Sequence, residues 1–334
     1  MTIVITDDSD LPKCLNTPSK QAKKARQLAE LHLGIPAKKT RAPRPQGFFS
    51  RTVIVTLKNG EEVVIQFRPE PLDVEPFNVA RKALGATVPD VTPLADEELE
   101  HQGLRAYSMT CIPGKTWLDG ATGRREQTLV TTVRSLGRIL SKGYLDGNSE
   151  QVIDSNIRPH LEQLLSSEDP QIRQFHDTAR DLVDKLDHLK VLPLFVAHFD
   201  LNDVNIMVDD NCEVSGIVDW ELSTPLPFGM GFCRIHTLAG EFSDQKFYMP
   251  PQFEDAEKAF WQEIVNGVPQ SVRDLFHDQP ETVQIAVTLG TLLDAFQLED
   301  GKVGPYNPVV VEALPKLLTY RIPLVRGTGS PYSA

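Results

Sequence analysis

Between Val196 and Glu221 the chain reads VAHFDLNDVNIMVDDNCEVSGIVDWE, a stretch dense in carboxylates and amides. Such side chains offer oxygen donors, which suit a hard cation such as Mg²⁺ that keeps part of its shell for water and phosphate. Zinc would want imidazole or thiolate, and the segment HFDLNDVN offers His198 alone. The run LPLFVA reads as an apolar strand ending at His198, and HFDLNDVN follows it as a polar turn. NIMV, the turn DDNCE and VSGIV then form a hairpin from Asn205 to Val218. With its turn centred on Asn211, antiparallel pairing sets Asn205 roughly opposite residues 217–219. Asn205 and Asp219 thus meet at the open end of the hairpin, beside Asp200. Asp203, Asp209 and Asp210 are most simply turn residues.

Other elements must hold this stretch. Residues 1–19 look poorly ordered, and SKQAKKARQLAELHLG reads as a basic amphipathic helix ended by Gly34. IPAKKTRAPRPQG is too rich in proline and charge for helix or strand and reads as an arm. RTVIVTL and EEVVIQFR flank an Asn-Gly turn, the strongest short-range hairpin signal. A helix in PLDVEPFNVARKALG and a strand in LRAYSM complete a small, mainly β unit. Past CIPGKTW the chain is largely helical, with apolar residues at three- and four-residue spacing in TLVTTVRSLGRIL, PQIRQFHDTARDLVDKLDHLK, FEDAEKAFWQEIV, TVQIAVTLGTLLDAF and VVVEALPKLLTY. The expected organisation is an extension over 1–45, a β-rich unit over 46–110 and a helical unit over 111–334.

Composition narrows the partners. A net charge of -12 argues against nucleic acid, whose phosphates need a basic face. From Lys20 to Arg51, however, nine Lys or Arg stand against one acid, Glu30. That stretch is either a solvated helix and arm or an attractor of phosphate. No apolar run approaches the roughly 20 residues of a membrane helix, and MTIVITDDSDLPKC lacks the features of a secretory signal. A cytoplasmic protein without a membrane partner is the expectation. The four cysteines are widely spread and read as reduced, structural thiols.

The spacing His-x-Asp-Leu-x-x-x-Asn, with an Asp 14 residues beyond that Asn in IVDWE, resembles the catalytic loop and metal-binding Asp of kinases. With DWE in place of DFG, and MTCIPGKTW upstream, the chain is similar to the aminoglycoside phosphotransferase and choline kinase-like family. The resemblance implies an α+β, bilobal protein-kinase-like fold, with a small β-rich N-lobe carrying one helix and a larger, mainly helical C-lobe. It implies ATP and Mg²⁺ as cofactors. Asp200 would orient the acceptor hydroxyl and take its proton, Asn205 and Asp219 would hold magnesium, and His198 would support the loop. Glu221 would touch a second metal or the acceptor, or serve a structural ion pair or cap.

The small unit departs from the family pattern. PQGFFSRTVIV occupies the place of a Gly-rich loop with a single glycine, Gly47, whose backbone amides could still approach phosphate. Gln66 stands where the family places a Lys or Arg. Arg68, two residues on and so on the same face, carries the charge Gln66 lacks, or else faces solvent at a strand end. The partner Glu would fall near Asn78, with Glu75 a turn earlier. If Gln66 and Asn78 replace the ion pair, a neutral amide contact takes over and ATP affinity or turnover falls. Backbone groups near Met109 and Cys111 would hold adenine in a family-like pose, with Met109 as core packing the alternative.

The expected activity is an ATP-dependent small-molecule kinase acting on a hydroxyl. Acids such as Glu241, Asp244, Asp294, Glu299 and Asp300 would favour an amine-bearing acceptor, or are surface acids. A kinase-like regulatory module that binds a nucleotide or metabolite, with reduced phosphotransfer, is the alternative.

Overall fold

The β-branched runs flanking Lys58-Asn59-Gly60 pair antiparallel, with Val53 opposite Ile65 and Val55 opposite Val63. A computed structural model of the chain describes residues 4–244, 246–299 and 301–326. It divides into two compact units, residues 1–113 and 114–334.

The first unit contains, in chain order, α1 (Pro18–Leu33), β1 (Ala37–Arg41), β2 (Arg51–Leu57), β3 (Glu62–Arg68), α2 (Glu75–Leu84), β4 (Val91–Leu94), α3 (Glu97–His101) and β5 (Arg105–Thr110). The strands form one antiparallel sheet in the order β1-β2-β3-β5-β4. Alternation assigns its faces. Val53, Val55 and Leu57 of β2 join Val63, Ile65 and Phe67 of β3 in a core shared with Ala25, Leu28 and Ala29 of α1.

Two expectations are corrected here. The arm contains a strand: Ala37–Arg41 pairs with β2, Thr40 opposite Val55. Its charged sequence suits a sheet edge, where lysines discourage further pairing. Residues 4–19, expected to be poorly ordered, place Ile5, Leu11 and Leu15 in the same core. Residues 4–45 are therefore part of the first unit rather than a separate extension. The basic helix is partly neutralised, because Lys24 pairs with Asp96 at 2.7 Å and Glu98 at 2.8 Å at the start of α3.

The second unit holds β6 (Lys115–Thr116), β7 (Tyr144–Asn148), β8 (Pro193–Phe195), β9 (Ile206–Val208), β10 (Val214–Ile217) and β11 (Leu226–Pro227) among its helices. These strands make two three-stranded sheets, β10-β9-β6 and β11-β8-β7. The expected helices run over Arg125–Leu140, Phe253–Gly267, Pro280–Ala295 and Pro308–Leu317. PQIRQFHDTARDLVDKLDHLK is not continuous; it breaks into Pro170–Arg173 and His176–Leu189. Phe195, Phe228, Phe232 and Phe260 pack edge-on or tilted, with centroids 4.7 Å apart for Phe195–Phe228 and 5.5 Å for Phe228–Phe232. This core lies directly below the end of β8, where the polar loop begins.

Candidate active site

Chain direction reverses between β9 and β10, and Ile206 faces Ile217 across the hairpin. One step beyond the ladder the Val218 N–H donates to the Asn205 carbonyl at 2.9 Å. Asn205 and Asp219 are therefore neighbours at the hairpin's open end. Asp219 is exposed and has φ of 63°, a left-handed conformation that aspartate tolerates better than most residues.

Asn205 is buried, and its amide Nδ2 donates to the Asp200 carbonyl at 2.8 Å and to Asp200 Oδ2 at 3.4 Å. With the nitrogen so used, the amide oxygen is left as the acceptor on the other side of the group. Asn202 closes the turn between them, its Oδ1 accepting from Val204 N at 3.0 Å and Asn205 N at 3.1 Å. Asp203 pairs with Arg125 at 3.0 Å, and Asp209 Oδ1 accepts from Asn211 N and Glu213 N at 2.8 and 2.9 Å. Both acids serve the local backbone and its neighbours.

His198 is 5% exposed and joins the two halves of the site. Its Nε2 lies 2.8 Å from the Val218 carbonyl, and its Nδ1 accepts from Asp200 N at 3.2 Å. Those partners require a neutral ring with the proton on Nε2. Burial pushes its pKa down to about 4, which keeps that form at neutral pH. Trp220 covers the ring edge-on at 4.8 Å and anchors its own indole on the Ile217 carbonyl at 2.9 Å.

A cavity of about 230 Å³ opens beside this loop, lined in part by Ala197, His198 and Phe199. Its floor comes from Met230–Cys233 and from the helix Pro280–Ala295. Gly290 permits their close approach, since a Cβ there would lie 2.1 Å from the Met230 carbonyl oxygen. Arg234 and Asp294 form an ion pair on the wall, 11% and 14% exposed, and Arg234 Nη2 also donates to the Phe199 carbonyl. Burial pushes the Asp294 pKa up to about 6, against the pull of Arg234. Of the other acids considered, Glu241 and Asp244 are exposed residues of a separate hairpin segment. Asp300 and the Glu299 side chain lie outside the described residues.

In the first unit, Gln66, Arg68 and Met109 share one face: Gln66 is opposite Tyr107, Arg68 opposite Arg105 and Val64 opposite Met109. Arg68 is buried. Gln66 Nε2 donates to Ser50 Oγ at 3.1 Å, and its Oε1 is buried without a hydrogen-bond partner. The expected amide contact with Asn78 does not form. Asn78 is exposed, because α2 turns Phe77, Ala80 and Leu84 inward instead. Met109 lies within β5. Thr110 N donates to the Asp90 carbonyl at 3.0 Å, so alternation turns the peptide groups of Met109 into the ladder with β3. Cys111 is the first residue past β5. Burial and the nearby Glu62 carboxylate push its thiol pKa up.

The loop at Gly47 is built from side chains rather than from glycine flexibility. Gln46 accepts from Thr52 N at 2.7 Å and donates to Pro43 and Thr52 carbonyls. Arg51 donates to the Gly47 and Ser50 carbonyls at 2.9 and 3.0 Å and pairs with Asp8 at 2.6 Å. A Cβ on Gly47 would meet only Ser50 Oγ, at 3.4 Å.

The phosphotransferase enzyme family model matches residues 40–234, more than half of the chain. The chain belongs to this family. No curated protein sequence matches this phosphotransferase. Among solved structures it is similar to the macrolide 2'-phosphotransferase MphH from Brachybacterium faecium, at 17% identity, 90% of this chain, 98% of that chain and a TM-score of 0.51. It is also similar to a thermostable mutant of aminoglycoside phosphotransferase APH(4)-Ia, solved with AMP-PNP and hygromycin B. That match has 13% identity, 91% and 92% coverage and a TM-score of 0.51. At these identities the likeness is one of fold, and the fold of this phosphotransferase is α+β and protein-kinase-like. No helix among its described residues is long and apolar enough to cross a membrane.

Sequence reasoning missed Arg234 in this phosphotransferase. It singled out Asp294 among several acids without the cation that accompanies it. The two are far apart in the chain, and the available signal was only that Arg234 follows a buried run, FGMGFC, where a charge needs a partner.

Proposed function

We propose that this phosphotransferase uses ATP and Mg²⁺ to phosphorylate a hydroxyl of a small molecule. The observation that carries the reading is the bonding of Asn205. Its amide nitrogen holds Asp200, while its backbone carbonyl holds the residue preceding Asp219. One buried residue, itself a proposed metal ligand, thus links the proposed base to the other ligand through its side chain on one side and its backbone on the other.

The donors suit magnesium. Asn205 and Asp219 offer an amide oxygen and a carboxylate, and two protein ligands suffice for a cation that fills its shell with phosphate and water. Among the described residues, no group of three or more His, Cys, Asp or Glu could hold a metal instead. Bound magnesium would supply positive charge against the phosphate oxygens. Asp200 orients the acceptor hydroxyl and takes its proton as that oxygen bonds to the γ-phosphorus and the bond to the β-phosphate oxygen breaks. His198, neutral and buried, positions the Asp200 peptide and does not exchange the proton itself. On the first unit, Arg68 is the cation this reading assigns to the phosphates, with Gln66 and the loop at Gly47 as further nucleotide contacts and Cys111 supplying backbone groups for adenine.

Binding of Mg·ATP tests the reading. At about 100-fold excess over Kd it should stabilise the protein by roughly 2.7 kcal/mol in a thermal shift, and Asp219→Ala should lose that gain. No stabilisation of the wild type would overturn the reading. Stabilisation without ATP consumption on any alcohol would favour a regulatory module, which the uncharged Gln66 permits.

A further inference from the structure

The cavity beside Asp200 carries a second charge pattern that bears on the acceptor. Its walls are mainly apolar, through Ile157, Ala197, Leu226, Met230 and Leu293. Among the described residues two ionised side chains line it, Arg234 and Asp294, which are paired with each other, and the Asp200 carboxylate acts on Asp294 from beside them. Of the other titratable wall residues, His198 and Cys233 are kept neutral by burial, and His160 keeps Nε2 on the Phe296 carbonyl at 2.8 Å. Burial lowers its pKa, so it adds no charge. We infer that this cavity takes an uncharged alcohol with an apolar body, because Arg234 already occupies the Asp294 carboxylate and the Asp200 carboxylate beside the cavity is left to the acceptor hydroxyl. The inference rests on the phosphotransferase reading above and names its acceptor class.

The physical argument is one of desolvation. An ammonium group entering a mainly apolar wall gives up water and needs a full counter-charge. Asp294 is nearly buried and already committed to Arg234. Arg234 is fixed on its other side by the Phe199 carbonyl, next to Asp200, so the pair has little freedom to reorganise around a guest. An anionic acceptor meets the mirror problem, since Asp294 neutralises the guanidinium. A neutral hydroxyl avoids both costs and can still donate to Asp200. Asn156 and Thr224 add uncharged polar groups on the same wall. The volume, below the roughly 300–1,000 Å³ of drug-sized sites, fits a small ring or branched chain.

The test compares three matched probes by calorimetry at pH 8 in the presence of Mg²⁺ and AMP-PNP. They are cyclohexylmethanols bearing a methyl, an aminomethyl or a carboxylate group at position 4. The methyl compound should bind at least about tenfold tighter than either charged one, the scale of one charged hydrogen bond. Arg234→Met should reverse the order of the methyl and aminomethyl compounds, Asp294→Asn should favour the carboxylate, and Arg234→Lys should keep the wild-type order. Tighter binding of the aminomethyl or carboxylate probe by the wild type, or no binding of the methyl probe, overturns the inference. The wild-type comparison stands even where a variant fails to fold. Loss of AMP-PNP binding would instead count against the phosphotransferase reading, so the two failures are distinguishable.

Discussion

The loop and hairpin over residues 196–221 and the sheet face carrying Gln66 and Arg68 solve the same kind of problem differently. In the former, one short segment supplies the candidate reactive side chains and many of the groups that fix them, with Arg125 on Asp203 and Arg234 on the Phe199 carbonyl added from outside. His198, Asn202 and Asn205 satisfy backbone atoms within the segment, while Asp219 is left exposed. In the latter, the polar positions are held by distant chain: Ser50 engages Gln66, and Arg51 ties the Gly47 loop to Asp8. A segment that fixes many of its own groups keeps much of its geometry through its own spacing. The sheet face depends on an N-terminal region whose contribution is mostly packing.

Breaking that dependence should have the largest structural effect. Leu28 is 1% exposed in the core that α1 shares with the sheet. Leu28→Ala should cost about 2–5 kcal/mol of stability by lost burial and cavity formation. Urea unfolding followed by a probe in the first unit checks this; a loss below about 0.5 kcal/mol would show that α1 is dispensable to the sheet.

His198 provides the matching test on the hairpin. Its folded pKa of about 4 lies below the ordinary 6.5, so the unfolded chain binds more protons between those values. Stability present above pH 6.5 is therefore lost as pH falls toward 4, by about 3 kcal/mol from this residue. Asp294 acts in the opposite direction: its raised folded pKa makes the native state bind more protons between 3.8 and about 6. The informative quantity is the difference between wild type and His198→Gln across that range. A flat difference would mean that His198 does not link the two halves as a neutral ring.

The smallest of these effects sharpens the view of the sheet face. Gln66→Ala removes the bond to Ser50 and the stranded Oε1 together, and should change stability by about 1 kcal/mol or less. A loss above about 3 kcal/mol would give Gln66 a structural weight that one partly used amide does not explain.

The same contrast explains what was legible in the sequence. Asp200, Asn205 and Asp219 could be placed because a strand, a turn and a hairpin fix their relation within some twenty residues, and Val218 does pair with Asn205. The strand Ala37–Arg41 was not legible, since AKKTR has no apolar alternation and owes its conformation to pairing with β2. Ile5, Leu11 and Leu15 follow no period and become core only through tertiary contact. Asn78 was placed by counting along the chain, but the phase of α2 turns it to solvent. The identity of Met109 likewise says nothing about which way its peptide groups face. The Arg234–Asp294 pair joins the start of one helix to the end of a distant one, a relation that the packing of Gly229 and Gly290 between the segment Met230–Cys233 and the helix Pro280–Ala295 helps create.

The central claim is that Asp200 performs proton transfer within a site it does not itself hold together. The direct measurement is phosphate release from Mg·ATP by wild type and Asp200→Asn, beside Mg·ATP binding by thermal shift. Asp200→Asn should bind Mg·ATP as the wild type does and lose about 10²- to 10⁴-fold in turnover. Turnover within a few-fold of the wild type, with binding intact, would contradict the account.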